Sequence, residues 1–280
     1  MANTTLRALT PARVGRPWGG GRFGGVDGEP VGELWVSGDL ATLPDGRTLA
    51  EAGLALSVPL VKILDIAGRL SVQVHPDDRL AGELHGHSEV GKHEAWYVLD
   101  AAGNATIEAG LASGAGIEDL FSGDDERVFA ALARRPATVG SIVDVPPGVV
   151  HSPGPGLLLY EVQQRSDRTY RIWDWGRSRP LHLAEARRAV RAQDVSVWGP
   201  GRVRAGRFAV GAKGAPFTIG LCRLAGSALR IDLARPTVLS SVSGWLEVDD
   251  TALPPGSHWL VGAGQMAIGG NGEALLAAWR

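Results

Sequence analysis

Cysteine is almost missing from this chain: Cys222 is the single one in 280 residues. One thiol excludes a disulfide framework and suits a reducing compartment; with no surrounding motif to present it as a nucleophile, Cys222 reads as a core residue. Long apolar runs are absent too. The first residues, MANTTLRALTPARVGRPWGGG, lack the apolar stretch of a signal peptide, and no later run is long enough to cross a bilayer. The expected location is therefore the cytoplasm. Nor is there an excess of charge of either sign: 28 Lys plus Arg stand against 30 Asp plus Glu. A net charge of −2 gives no electrostatic case for nucleic acid or a membrane surface, so an anionic partner has to be small and locally bound.

What is present is punctuation. Glycine, at 39, and proline, at 17, separate many short apolar segments, among them VPLVKIL at 58–64, LSVQV at 70–74, AWYVL at 95–99, SIVDV at 141–145 and LLLYEVQ at 157–163. That rhythm predicts a β-sandwich or barrel. Helical periodicity is confined to an insert at about 113–135 and to LAEARRAVRA at 183–192. A β pattern returns after about residue 195. The expected organisation is thus mainly β, with residues 1–182 as one module and 183–280 as a linking helix followed by a second. The cluster GGGRFG at 19–24 formally fits a dinucleotide-binding fingerprint, but no hydrophobic strand precedes it and no helix pattern follows, so it reads as a tight loop.

Within LSVQVHPDD at 70–78, residues two apart share a strand face, so Gln73 and His75 project together, with Ser71 one step further along, while Val72 and Val74 take the other face. A second segment, GKHEAWYVLD at 91–100, places Lys92 and Glu94 at a strand entrance. A third, GSIVDVPPGVVH at 140–151, spaces Pro146, Gly148 and His151 as in the second motif of the cupin superfamily, and Gln73, His75 and Glu94 can supply the first. Gln73, His75, Glu94 and His151 together make a mixed nitrogen and oxygen ligand set for a divalent metal, zinc or alternatively iron, manganese, cobalt or nickel. His85 and His87 form another H-x-H, in what reads as a loop, and rank below His75.

Several runs, in order, carry a narrower resemblance: PWGG at 17–20, GELW at 32–35, PLVKILDIAGRLSVQVHPDD at 59–78, GKHEAWYVLDA at 91–101 and PPGVVHSPGPGLLLYEVQQRSDRTYRIWDWGR at 146–177. Over about residues 15–190 the chain resembles type I phosphomannose isomerases. The resemblance implies a cupin jelly roll holding one Zn2+ per chain on Gln73, His75, Glu94 and His151, and an aldose-ketose isomerase of mannose 6-phosphate and fructose 6-phosphate. Lys92, Glu161 and Arg171 match catalytic-site positions, and Lys62 and Ser71 match positions near the substrate phosphate. An enediolate intermediate needs a base and positive charge near the developing oxyanion. Arg171 and Lys92 suit the charge; Glu161, a hydroxide or a histidine suits the base.

Blander roles compete at some positions. Glu161 can simply pair with Arg171, Lys62 can snorkel from an edge strand, and the Ser71 hydroxyl can be satisfied within its strand. Asp167, Trp173, Asp174 and Trp175 are expected to brace Arg171 and the barrel mouth. The region after 195 has His258 without partners at cupin spacing, which points to a degenerate second cupin. Alternative functions are another metal cupin enzyme, acting on a free sugar or a different sugar phosphate, and a non-catalytic sugar-binding cupin. The expected partner is a small sugar phosphate, with monomer and homodimer both open.

Overall fold

The computed structural model describes residues 4–200, 207–211 and 214–280. Among them the chain runs through β1 (Leu6–Leu9), β2 (Ala12–Gly15), β3 (Gly25–Val26), β4 (Glu29–Trp35), β5 (Leu60–Ile66) and β6 (Val72–Val74) before a first helix, α1 (Asp78–His85). There follow β7 (Glu94–Ala101), β8 (Thr106–Leu111), α2 (Asp125–Ala130), β9 (Leu132–Pro136), β10 (Ile142–Val145), β11 (Leu157–Gln163) and β12 (Tyr170–Trp173). After α3 (Leu183–Ala189) come β13 (Ser196–Trp198), β14 (Arg207–Gly211), β15 (Phe217–Ala225), β16 (Leu229–Leu233), β17 (Thr237–Val248), β18 (Thr251–Leu253), β19 (His258–Val261) and β20 (Gly264–Trp279).

One sheet runs in the order β13, β10, β7, β11, β5, β4, β2, every pairing antiparallel. All seven residues of β5 and nearly all of β11 are buried, because this sheet is covered on both faces. On one face Val61, Ile63, Ala95, Tyr97, Tyr160 and Val162 pack against Phe217, Ile219, Leu221 and Leu275 of the second module. Fully burying Phe217 there contributes roughly 2–3 kcal/mol of transfer free energy. On the other face Leu64, Ile66, Trp96, Val98, Leu157 and Leu159 meet Ile107, Ala109 and Val149. The period of two therefore aims Lys62, Glu94 and Glu161 into the barrel rather than at the module interface.

The facing wall is built from shorter pieces. β8 pairs with β9 and β6 with β12, and His151 bridges the two pairs through Gln73 and Ala109. Its outer side is closed by a cluster of Val72, Val74, Leu120, Val128, Val150, Tyr170 and Ile172. The second module is a sheet ordered β1, β19, β17, β20, β15, β14. Among the described residues strands cross between the modules twice: β1 pairs with β19, and β13 pairs with β10, so residues on both sides of 182 complete each other's sheets.

Three segments differ from their sequence reading. The expected helical insert holds a 3-10 turn at Ile117–Phe121 and a short α2, capped by Asp124 accepting from the Arg127 amide at 2.8 Å, and then becomes a strand. Leu132–Pro136 gives up helical periodicity for pairing with β8, a tertiary override of local propensity. The loop expected around His85 and His87 follows α1, which ends at His85 and is started by Asp77 accepting from the Leu80 amide at 2.7 Å; Gly82 sits inside this helix. The linking helix stops at Ala189, since Val190 turns extended and buried and the Arg191 amide donates to Gly148 O at 2.9 Å. The 19–24 glycines form a loop on Asp65, where a Cβ at Gly20 would lie 2.2 Å from the carboxylate.

Candidate metal centre and cavity

Sheet register assembles the first group. The Gln73 amide donates to His151 O at 3.0 Å and the His151 amide donates to Gln73 O at 2.9 Å. With both backbone groups of Gln73 taken up there, its β12 partner Arg171 is a non-hydrogen-bonded neighbour. Directly opposed residues in antiparallel pairs put their side chains on one face, so Arg171, Gln73 and His151 form a row. His75 extends the same face two residues on. The turn before His151 depends on Gly148, at φ +88, where a Cβ would lie 2.8 Å from the Arg191 side chain.

Each histidine is fixed from behind. His75 Nδ1 lies 3.0 Å from Arg168 O, and His151 Nδ1 lies 3.0 Å from Val149 O. A carbonyl only accepts, so each Nδ1 carries the proton and each Nε2 keeps its lone pair. Those Nε2 atoms lie 3.3 Å and 3.5 Å from the Glu94 carboxylate oxygens. His75 Nε2 and Glu94 Oε2 are buried without a hydrogen-bond partner, and the three ligand atoms of His75, Glu94 and His151 lie within 4.8 Å of one another. Burial lowers both imidazole pKa values, that of His151 to about 3, so both rings are neutral near pH 7. Burial alone would raise Glu94, but the Lys92 ammonium beside it holds its carboxyl well below the usual range. Two neutral imidazoles and a carboxylate with unsatisfied inward atoms fit a divalent cation, with the backbone carbonyls orienting the rings. The Gln73 amide nitrogen lies 3.2 Å from His151 Nε2; rotating that amide would offer its oxygen instead. His85 bonds Tyr170 Oη at 2.9 Å, and neither it nor His87 belongs to the cluster found among the described residues.

The cluster opens onto a cavity of about 670 Å³, lined by Gln73 and Glu94, with Lys62, Ser71, Lys92, Glu161 and Arg171 around them. His75 and His151 stand behind this lining. Lys92 is buried against the Glu94 carboxylate. Its approach needs Gly91, where a Cβ would sit 2.6 Å from Pro76 O and Asp77 C at the start of α1. On the β5 side Lys62 and Glu161 are direct cross-strand partners. Lys62 Nζ donates to Gln163 Oε1 at 2.7 Å and lies 3.4 Å from Glu161 and 4.0 Å from Glu33. It is 7% exposed, so it does not snorkel from an edge strand. Glu161 accepts from Trp96 Nε1 at 3.0 Å, and burial together with Glu94 raises its carboxyl. Its partners are thus Lys62 and Trp96 rather than Arg171. Arg171 Nε is buried with no hydrogen-bond partner among the described residues.

Asp174 braces Arg177 and Arg179, at 2.8 Å and 2.6 Å, instead of Arg171. Trp175 Nε1 donates to Leu70 O at 2.6 Å and Trp173 Nε1 to Asp125, anchoring the β12 end of the barrel. Asp167 has a side chain 93% exposed, 4.0 Å from Arg168, and holds nothing at the mouth. His258 is a buried core residue whose Nδ1 meets Ser240 Oγ at 2.9 Å. The Cys222 thiol is buried, which pushes it up to about 11.

Sequence reasoning missed Glu33 and Arg16, which face each other across the cavity wall at 2.9 Å and 3.1 Å. Trp35 Nε1 adds a 2.7 Å bond to Glu33. Burial opposes the charge on Glu33, yet Lys62 and Arg16 lower its pKa to about 2. The signal was present in GELW: Glu33 and Trp35 are two apart in a strand beside Lys62. Also missed was the buried pair of His93 Nε2 and Asp144 Oδ1 at 2.7 Å.

No protein-family model matches the chain. The chain is 33% identical over 205 residues to "Mannose-6-phosphate isomerase" of Streptococcus mutans, covering 60% of this chain and 62% of that one. It is 40% identical over 134 residues to "Mannose-6-phosphate isomerase ManA" of Bacillus subtilis, covering 45% and 42%. The chain thus spans less than two thirds of the length of these curated relatives. The solved structure of the mannose 6-phosphate isomerase from Bacillus subtilis superposes with a TM-score of 0.81 at 29% identity, covering 97% of this chain and 99% of that one. The mainly β cupin architecture is therefore shared along nearly the whole chain. By sequence and fold together, this chain is similar to the mannose-6-phosphate isomerases.

Proposed function

We propose that the protein is a metal-dependent aldose-ketose isomerase that interconverts mannose 6-phosphate and fructose 6-phosphate. One observation carries the reading: a single cavity lined by Glu94, Glu161, Lys62, Lys92 and Arg171 lies in front of His75 and His151, which cluster with Glu94. The metal is held by His75, Glu94 and His151, with Gln73 as fourth ligand once its amide oxygen faces inward, and Zn2+ suits this set. When bound, it supplies Lewis-acid stabilisation of negative charge on a sugar oxygen.

Isomerisation removes a proton from C2 of the aldose, passes through an enediolate, and returns a proton to C1 while the hydroxyl and carbonyl exchange. Glu161 is the base in this proposal. Its raised carboxyl is suited to take a proton and give it back. Lys62 and Trp96 keep it aimed at the cavity. Lys92 and Arg171 face the sugar oxygens: Arg171 keeps an unpaired Nε, and Lys92 can pass a donor from Glu94 to a hydroxyl. Ser71, with Lys62 behind it, forms the proposed phosphate end. Residues 1–182 carry this chemistry in the proposal, while 183–280 supply the cover over the opposite face of the central sheet. The protein is assigned to the cytoplasm, as a monomer or homodimer.

The test is a coupled assay on purified protein with added zinc, offering mannose 6-phosphate or mannose and reading fructose 6-phosphate or fructose. Turnover of the phosphate ester alone is expected. No product from either sugar would refute the proposal, and turnover of mannose alone would redirect it to a free-sugar isomerase.

A further inference from the structure

β12 is the outer strand of its pair, so the Arg171 amide and carbonyl, which point away from β6, would ordinarily be left to water. They are instead both engaged by one residue: the Arg171 amide donates to His182 Nδ1 at 3.2 Å, and the His182 amide donates to Arg171 O at 2.8 Å. His182 occupies the N-cap of α3, where side chains normally accept from the helix's first amides, yet its ring makes no cap bond. The ring is turned to the strand and not to its own helix. Accepting at Nδ1 requires a neutral imidazole with its proton on Nε2; burial and Arg171 lower the His182 pKa, which keeps that acceptor available. Across the wall the hydrogen-bonded order is then His182 with Arg171, and Gln73 with His151.

We propose that His182 is a positioning residue for Arg171, its ring and its amide together standing in for the missing strand and so fixing the register from which the Arg171 guanidinium enters the cavity. The proposal rests on the isomerase reading for its kinetic consequence, though not for its structural one. His182 touches no substrate; it acts through the β12 backbone.

Two variants separate positioning from bulk packing. Asn in His182→Asn keeps an acceptor oxygen on Cγ where Nδ1 sits, whereas His182→Leu keeps apolar volume and removes the acceptor. In His182→Leu, kcat is expected to fall by about tenfold to a hundredfold with KM changed by less than about threefold, since small displacements of a positioned group cost on that scale. Metal content should stay at the wild-type level, and His182→Asn should recover most of the lost turnover. Amide hydrogen exchange provides a readout independent of activity: a peptide covering residues 170–173 should lose protection in His182→Leu and regain it in His182→Asn. Undiminished kcat in His182→Leu, or an equal loss in both variants, would overturn the kinetic claim. Unchanged exchange in His182→Leu would overturn the structural one. A wild type without isomerase activity whose exchange follows the expected pattern refutes the substrate assignment and leaves the backbone clamp intact.

Discussion

Replacing Lys62 by Met tests the electrostatic heart of the cavity wall. Lys62, Glu161 and Glu33 are 7%, 4% and 7% exposed, and the lysine nitrogen lies 3.4 Å and 4.0 Å from the two carboxylates. Met keeps the apolar stem, so little cavity is created. What changes is that Glu161 loses a neighbouring cation in a buried setting; stranding one partner of a buried pair costs about 3–5 kcal/mol. The cost is pH-dependent with a defined sign. The Glu161 carboxyl is already raised in the folded state, so its contribution is present at low pH and lost as pH climbs through the folded value. Without Lys62 it is raised further. The deficit of Lys62→Met against wild type should therefore be larger at pH 8 than at pH 5, growing by up to about 1.4 kcal/mol per pH unit while Glu161 titrates. Adding Glu161→Gln should restore part of the loss and flatten the pH dependence. The measurement is urea unfolding of both variants and wild type at the two pH values, with metal chelated throughout so that ligand linkage does not enter. An equal deficit at both pH values, or one below about 1 kcal/mol as for an exposed ion pair, would refute this account of the wall.

His151→Ala should lose bound metal and turnover together, whereas Arg171→Ala should keep metal by atomic absorption while turnover falls; an active, metal-replete His151→Ala protein would refute the ligand assignment. Chelation should lower the melting temperature of the wild type, and zinc at a hundred times its dissociation constant should restore about 2.7 kcal/mol. Glu33→Gln probes the opposite pH limb: because the Glu33 pKa is depressed to about 2, its contribution is present above the ordinary carboxylate range and lost as pH falls toward 2. Wild type should exceed Glu33→Gln by roughly 3 kcal/mol at pH 7 and converge with it in acid; curves that stay parallel would contradict the charge network.

The two-residue periodicity of β5, β6, β7 and β11 was legible because each strand is held on both faces, leaving each polar residue conspicuous: Lys62, Gln73, Glu94 and Glu161 interrupt otherwise apolar runs. Their meeting in one cavity was approached only through the family resemblance, since register between strands distant in sequence is not written in either strand alone. Glu33 lies within GELW, but its role depends on Arg16 and Lys62, which are its neighbours only after β2, β4 and β5 pair. Leu132–Pro136 and α1 were misread for the opposite reason. Local propensity spoke clearly there, and tertiary pairing in one case and an aspartate cap in the other decided the outcome. The partners of Asp174 were likewise invisible, since Arg171 and Arg177 are equally near in sequence, Arg179 is only two residues further, and the turn after β12 chooses between them.

The pairing of β1 with β19 sets an order on how the protein can be made. Leu6–Leu9 is synthesised roughly 250 residues before its partner His258–Val261, which at 5–20 residues per second is a wait of about 12–50 seconds. During that interval the first barrel can close around its own core while β1 stays without its partner strand. Synthesis rate and chaperone occupancy on β1 therefore bear on yield independently of the stability of the finished fold, and a change that tethers Leu6–Leu9 will be felt in the sheet that holds β19.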